Sequence, residues 1–185
     1  MSHRNRIRRL LLPALAALAL TSAACAPGAD GGGSASPAEA SVPGGAEQGA
    51  ATVLDFSART VDGGEFDAAA LAGTPVVLWF WAPWCTICRV EAPEVAEVAA
   101  EYAGRVELLG VAGRGDVEDM RAFVAETGTG GFRHLVDDDG SLWRRFGVIA
   151  QPAFVFVSST GTTDSFIGSL GGDQLRVIVQ ELDRE

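Results

Sequence analysis

Two cysteines three residues apart, Cys85 and Cys88 in Trp84-Cys85-Thr86-Ile87-Cys88, are the residues of this 185-residue chain best suited to chemistry. They follow Pro75 to Trp81, an unbroken apolar run of the kind found in a strand buried on both faces. A helix is expected after them, from Ile87 to Tyr102, with Val95, Val98, Ala99 and Tyr102 on one face and Pro93 kinking it. Such a strand-to-helix junction gathers unpaired N–H groups and the positive end of the helix dipole. A thiolate at Cys85 is stabilised there, below the roughly 8.5 of a free cysteine. Cys88 lies one turn further in, more buried and better placed to close a disulfide than to start one. The pair can therefore cycle between dithiol and disulfide. A purely structural disulfide would close a tiny loop and constrain the chain little. A zinc site needs four ligands, and there is no second CxxC; His134 is the only histidine outside the first few residues.

The elements that must position this pair fall between about residue 51 and the C-terminus. Val53 to Phe56 and Glu65 to Asp67 flank Asp62-Gly63-Gly64 and read as a hairpin. Val106 to Ala112 reads as a second buried strand. Asp116 caps a helix in which Val117, Met120 and Val124 line up. A short strand from Phe132 to Val136 precedes the Asp137-Asp138-Asp139-Gly140 turn. Strands at Ala153 to Val157 and Thr163 to Ile167 surround Ser-Ser-Thr-Gly, and a closing helix runs from Asp173 to Leu182 with Leu175, Ile178, Val179 and Leu182 on one face. This order predicts an α/β class, a three-layer sandwich around a central mixed sheet with an extra N-terminal β-hairpin.

The first 50 residues read as an address and a tether. Four arginines (Arg4, Arg6, Arg8, Arg9) precede the apolar stretch Leu10 to Leu20, a pattern of export signals and too short for a membrane span. Small residues then lead to Cys25. Residues 1–25 are read as a signal peptide of lipoprotein type, with Cys25 as the lipidated residue; simple cleavage near Ala24 or Ala26 is the other reading, and Ser22 departs from the usual lipobox. Residues 26–50, rich in Ala, Gly, Ser and Pro, read as a flexible linker. The chain has no lysine. From residue 51 onward 10 Arg oppose 21 Asp and Glu, a net of −11, which disfavours nucleic acid as a partner.

Leu78 to Cys88 resembles the active-site strand and turn of the thioredoxin superfamily. Phe56 to Gly64 and Glu91-Ala92-Pro93 resemble its secreted TlpA/ResA/DsbE-like branch. Gln151-Pro152-Ala153-Phe154-Val155-Phe156 is similar to the cis-proline strand of DsbE-like proteins of high-GC Gram-positive bacteria. The resemblance covers about residues 52 to 185 and implies a thioredoxin fold. It implies a cis bond before Pro152 and a loop in which Gln151 offers its backbone to a substrate segment. Glu91 matches an acid that handles protons at the cysteines in that branch; on its own it reads equally well as a solvated carboxylate in the first turns of the helix. The buried carboxylate of cytosolic thioredoxins would fall at Trp79, so that relay is absent. Trp84 is expected to cover the disulfide, Trp81 to lie in the core, His134 to do no catalysis, and Arg144 and Arg145 to form a solvated face. Copper delivery on this fold goes with a longer cysteine spacing and a partner histidine, and neither is evident.

The function expected is an exported thiol–disulfide oxidoreductase with catalytic Cys85, Cys88 and Glu91 and substrate-binding Trp84, Gln151 and Pro152, using no metal or cofactor. It is expected on the outer face of the cell membrane, touching it by lipid anchor alone, or secreted. Its partners would be exported cysteine-containing proteins and a membrane redox partner. Oxidation of secreted thiols is the preferred direction. Reduction in cytochrome c maturation or a similar extracytoplasmic pathway, and a non-catalytic binding lipoprotein on the same scaffold, are the alternatives.

Overall fold

A computed structural model of the chain describes residue 49 and residues 52–185. The signal, lipidation and linker readings, Cys25 included, lie outside the described residues. The strands are β1 (Ser57–Arg59), β2 (Glu65–Asp67), β3 (Val76–Trp81), β4 (Glu107–Gly113), β5 (Arg133–Asp137), β6 (Ala153–Val157) and β7 (Thr163–Ile167). The helices are α1 (Thr86–Glu101), α2 (Val117–Thr127), α3 (Ser141–Arg145) and α4 (Gly172–Leu182). A 3-10 turn at Ala68–Leu71 follows β2, capped by the Asp67 carboxylate on the Ala69 N–H.

The main sheet has the order β5-β4-β3-β6-β7. β3, β4 and β5 run parallel, while β6 is antiparallel to β3 and β7 to β6. This is the mixed sheet of a thioredoxin fold. All six residues of β3 are buried, as a continuous apolar strand between two layers must be. Val77, Trp79 and Trp81 face a core shared with Val95 and Val98 of α1, Phe123 of α2, and Leu175 and Val179 of α4. Val76, Leu78 and Phe80 face a second core with Leu54, Leu142, Trp143 and Val148. Burying each large side chain of this strand contributes about 1.5–3 kcal/mol.

The outer side of β5 is covered. Thr60 bridges to Leu135, and the Val61 N–H donates to the His134 carbonyl, which brings the two-stranded β1–β2 sheet against it. At the other edge, no strand among the described residues pairs with the outer side of β7, whose five residues are all exposed.

The structure departs from the sequence reading in four places. The first hairpin strand is Ser57–Arg59 and not Val53–Phe56, because Leu54 is fully buried and Val53 and Phe56 pack against the second core. Asp116 stands at the N-cap of α2 without a side-chain bond to the helix; Glu118 and Asp119 supply the acidic first turn. The five-residue helix α3 stands where the sequence reading placed no element. α1 spans Thr86–Glu101, one residue earlier at each end than expected, with Pro93 inside it.

Candidate active site

Register brings three strand ends to one edge of the sheet. Trp81 at the end of β3 lies beside Ala112 near the end of β4, and Phe80 lies opposite Ala153 at the start of β6. The turn that follows β3, the loop that follows β4 and the loop that precedes β6 must therefore meet, as ligand sites at the carboxyl ends of parallel strands do.

From β3 the chain enters the turn that carries the cysteines. Cys85 takes the N-cap of α1 with extended backbone, and its Sγ accepts the Cys88 N–H at 3.1 Å. One of the orphan donors of the helix start is thus spent on sulfur, where a thiolate would accept it more strongly. Cys85 and Cys88 are joined in a disulfide with Cα atoms 5.3 Å apart. Cys85 is 5% exposed and Cys88 0%, the asymmetry expected of an attacked sulfur and a resolving one. Arg89 holds the turn from behind: it donates to the Pro83 carbonyl at 3.1 Å and pairs with Glu126 at 2.6 Å.

From β6 comes Gln151-Pro152, whose peptide bond is cis, as the resemblance implied. Pro152 is buried and Gln151 half-buried. From β4 comes Arg114, a residue the sequence reading passed over. Its guanidinium donates to Gln151 Oε1 and to the Ile149 carbonyl, both at 3.0 Å. Its own carbonyl accepts the Trp84 indole N–H at 2.7 Å. Trp84 is 61% exposed, an aromatic platform beside Cys85 tethered at its polar end. Ile87, Val90 and Ile149 are exposed apolar neighbours in sequence of the same turn and loop.

Glu91 is not solvated. It is 3% exposed, with Trp79 Nε1 donating to Oε1 at 2.8 Å and Ser169 Oγ to Oε2 at 2.6 Å. Burial pushes its carboxyl above the ordinary range; the bonds from Ser169, Trp79 and the Leu170 backbone hold it back, and Glu94 adds a smaller upward push. Glu94 itself accepts the Gly172 N–H at 2.6 Å, so two α1 carboxylates fasten the segment that starts α4. Trp79 is therefore not a simple absence of a strand carboxylate: the strand supplies the indole and the helix supplies the acid. Cys88 and Glu91, three residues apart, share one side of α1.

His134 is bound into the core. Trp81 Nε1 donates to its Nδ1 at 3.2 Å, which places the ring proton on Nε2, 2.9 Å from the Thr129 carbonyl. Burial lowers its pKa from 6.5 to about 4, against upward pushes from the Thr129 bond and Asp62. Trp81 is fully buried beneath the site. Arg144 and Arg145 are exposed; Arg145 also donates to the Thr52 and Val53 carbonyls.

The sheet order and the CxxC disulfide at a strand-to-helix junction, with a cis-proline loop at the same sheet edge, define a redox domain of the thioredoxin fold. The chain belongs to the AhpC/TSA family, whose pattern matches residues 50–165. Over 110 residues it is 46% identical to the soluble secreted antigen MPT53 of Mycobacterium tuberculosis, a match spanning 60% of this chain and 62% of that relative, under two thirds of its length. Among solved structures, MTB DsbF in mixed oxidized and reduced forms is 45% identical with a TM-score of 0.68, covering 70% of this chain and 96% of that one. A secreted Mycobacterium tuberculosis disulfide oxidoreductase homologous to E. coli DsbE is 41% identical with a TM-score of 0.67, covering 70% and 98%. The resemblance to DsbE-like proteins drawn from Gln151–Phe156 and the CxxC turn is borne out.

Proposed function

We propose that this chain is an exported thiol–disulfide oxidoreductase that oxidises thiols of secreted proteins. The observation that carries the reading is the Cys85–Cys88 disulfide at the start of α1, with Cys88 sealed and Cys85 at the rim. A substrate thiolate attacks Cys85 Sγ; the disulfide breaks and Cys88 leaves as a thiolate that takes up a proton. A second substrate thiolate then attacks the substrate sulfur of the mixed disulfide and releases Cys85. The substrate has lost two electrons and the domain has gained them, and a membrane redox partner takes them away to restore the disulfide. Gln151 and Pro152 are assigned to docking the substrate backbone, as an added strand would pair, and Trp84 to contacting its side chains. Glu91 is assigned to proton exchange with Cys88: it is buried, held on the same side of α1, and its raised pKa brings its titration nearer to neutrality.

Export is supported by the sequence of residues 1–25 and by the secreted relatives; lipidation at Cys25 is proposed from the sequence alone, and mass spectrometry of the mature N-terminus tests it. Cys88→Ser is expected to accumulate mixed disulfides with exported proteins through Cys85, and Cys85→Ser to accumulate none. Absence of adducts from Cys88→Ser would return the fold to a binding scaffold. Direction is set by potential: a couple well below about −250 mV would make the domain a reductase.

A further inference from the structure

The Trp84 turn and the Gln151-Pro152 loop belong to distant segments, and one residue holds both. Arg114 follows β4 and, among the described residues, is the only non-glycine with a positive φ, +58°. A side-chain-bearing residue adopts that conformation seldom. Here the residue's two ends serve different partners: its carbonyl takes the Trp84 N–H, and its guanidinium takes Gln151 Oε1 and the Ile149 carbonyl. The guanidinium also lies 4.4 Å from the Trp143 ring centroid, a cation–π contact from below. The glycines on either side are required by close approach. A Cβ on Gly113 would stand 2.6 Å from Trp143 Nε1, and one on Gly115 2.5 Å from Pro83 Cγ. The Gly113–Gly115 backbone is thus packed between α3 and the residues leading into Cys85, which leaves Arg114 little freedom to point elsewhere.

We propose that Arg114 is a positioning residue for protein substrates, fixing the Gln151-Pro152 loop in register with the Trp84-Cys85 turn. The proposal rests on the docking role given to that loop. A peptide must lie along the loop and bring its sulfur in line with Cys85 at once, so both surfaces have to be fixed relative to each other. A small thiol needs only the sulfur. A planar two-bond fork suits this task; a lysine ammonium would keep the charge and lose the geometry.

The test compares oxidation of a dithiol peptide and of dithiothreitol by the disulfide form of the parent, Arg114→Gly, Arg114→Lys and Pro152→Ala. Glycine adopts a positive φ freely, so Arg114→Gly retains the carbonyl bond to Trp84 and removes the side chain, its fork and its contact with Trp143 together. The KM for the peptide is expected to rise about tenfold in Arg114→Gly, the effect of losing a charge-assisted hydrogen bond, with nearly as large a rise in Arg114→Lys. The peptide kcat and the dithiothreitol rate are expected to change less than about twofold. Peptide and dithiothreitol slowed equally, or a peptide KM unchanged in Arg114→Gly and Arg114→Lys, would overturn the proposal. If Pro152→Ala also leaves the peptide KM unchanged, the docking role of the loop falls with it. If Pro152→Ala raises KM and the Arg114 variants do not, the loop docks substrate without the help of Arg114.

Discussion

Glu91 shows how much of a residue's role depends on what folds over it. On α1 alone it is one of four glutamates, with Glu94, Glu97 and Glu101, in a helix that could turn them all to water. The segment before α4 returns across α1, and Ser169 and Leu170 close over Glu91 while Trp79 meets it from the sheet. Nothing within the helix marks the difference, which is why the residues alone left a solvated carboxylate open. A carboxyl whose pKa is raised by folding favours the folded state while protonated, below about pH 4.5. That contribution is lost as the pH rises through the raised value. Glu91→Gln keeps an acceptor for Trp79 and removes the charge. It is expected to be at least as stable as the parent at pH 7, by urea unfolding, and to exchange disulfides roughly ten- to a hundredfold more slowly, with the loss concentrated where the parent's Glu91 titrates. An unchanged rate across pH would remove Glu91 from the proton path. Arg114 was illegible for a related reason: its three hydrogen-bonding partners lie at 84, 149 and 151, and Gly-Arg-Gly states neither its φ nor its partners.

At the scale of elements, the buried strands were readable because β3, β4 and β6 carry continuous apolar runs that few other structures tolerate. The short pieces were less so. β1 spans three residues with an alternating exposed–half-buried–exposed pattern, too brief to outweigh the more apolar Val53–Phe56 beside it. α3 begins after Gly140 in the left-handed conformation and gains its start from the buried Asp137 carboxylate, which accepts the Leu142 and Trp143 N–H groups. The pairing of β3, β4 and β5 sets Trp79, Gly110 and His134 in one row. Glycine there makes room for the aromatic rings that flank it. A Cβ at position 110 would lie 2.1 Å from His134 Nδ1 and 2.8 Å from Trp81 Nε1, the two atoms that share a hydrogen bond. Gly110→Ala is therefore expected to cost about 3 kcal/mol, from overpacking together with a broken buried bond. It should appear as a lower urea midpoint with an unchanged slope; a midpoint equal to the parent's would mean the row can relax at no cost.

Over the whole molecule, stability should answer to acid through His134. The ring stays neutral in the fold down to about pH 4, whereas an unfolded histidine takes a proton near 6.5. Stability is then complete above about 6.5 and falls as the pH drops toward 4, by at most about 3 kcal/mol. Glu91 opposes this trend over the part of that range above its unfolded value. The rise of stability with pH between 4.5 and 6.5 should therefore be steeper in Glu91→Gln than in the parent, which urea unfolding at a series of pH values would show; a shallower rise would contradict the assignment of either group. The surface carries a formal net charge of −10 for the chain, which keeps copies apart at low salt. The sheet edges bear on the same question of self-association. The β1–β2 hairpin bridges to the outer side of β5 at Thr60 and Leu135, whereas among the described residues no strand pairs with the outer side of β7, where Phe166 and Ile167 are exposed. A filament built by strand addition needs two free edges on every copy, one to give and one to receive. Among the described residues β7 is the edge of the main sheet that carries no bridge. Association through it joins two molecules by their β7 strands in antiparallel fashion, and that pairing uses up both β7 edges.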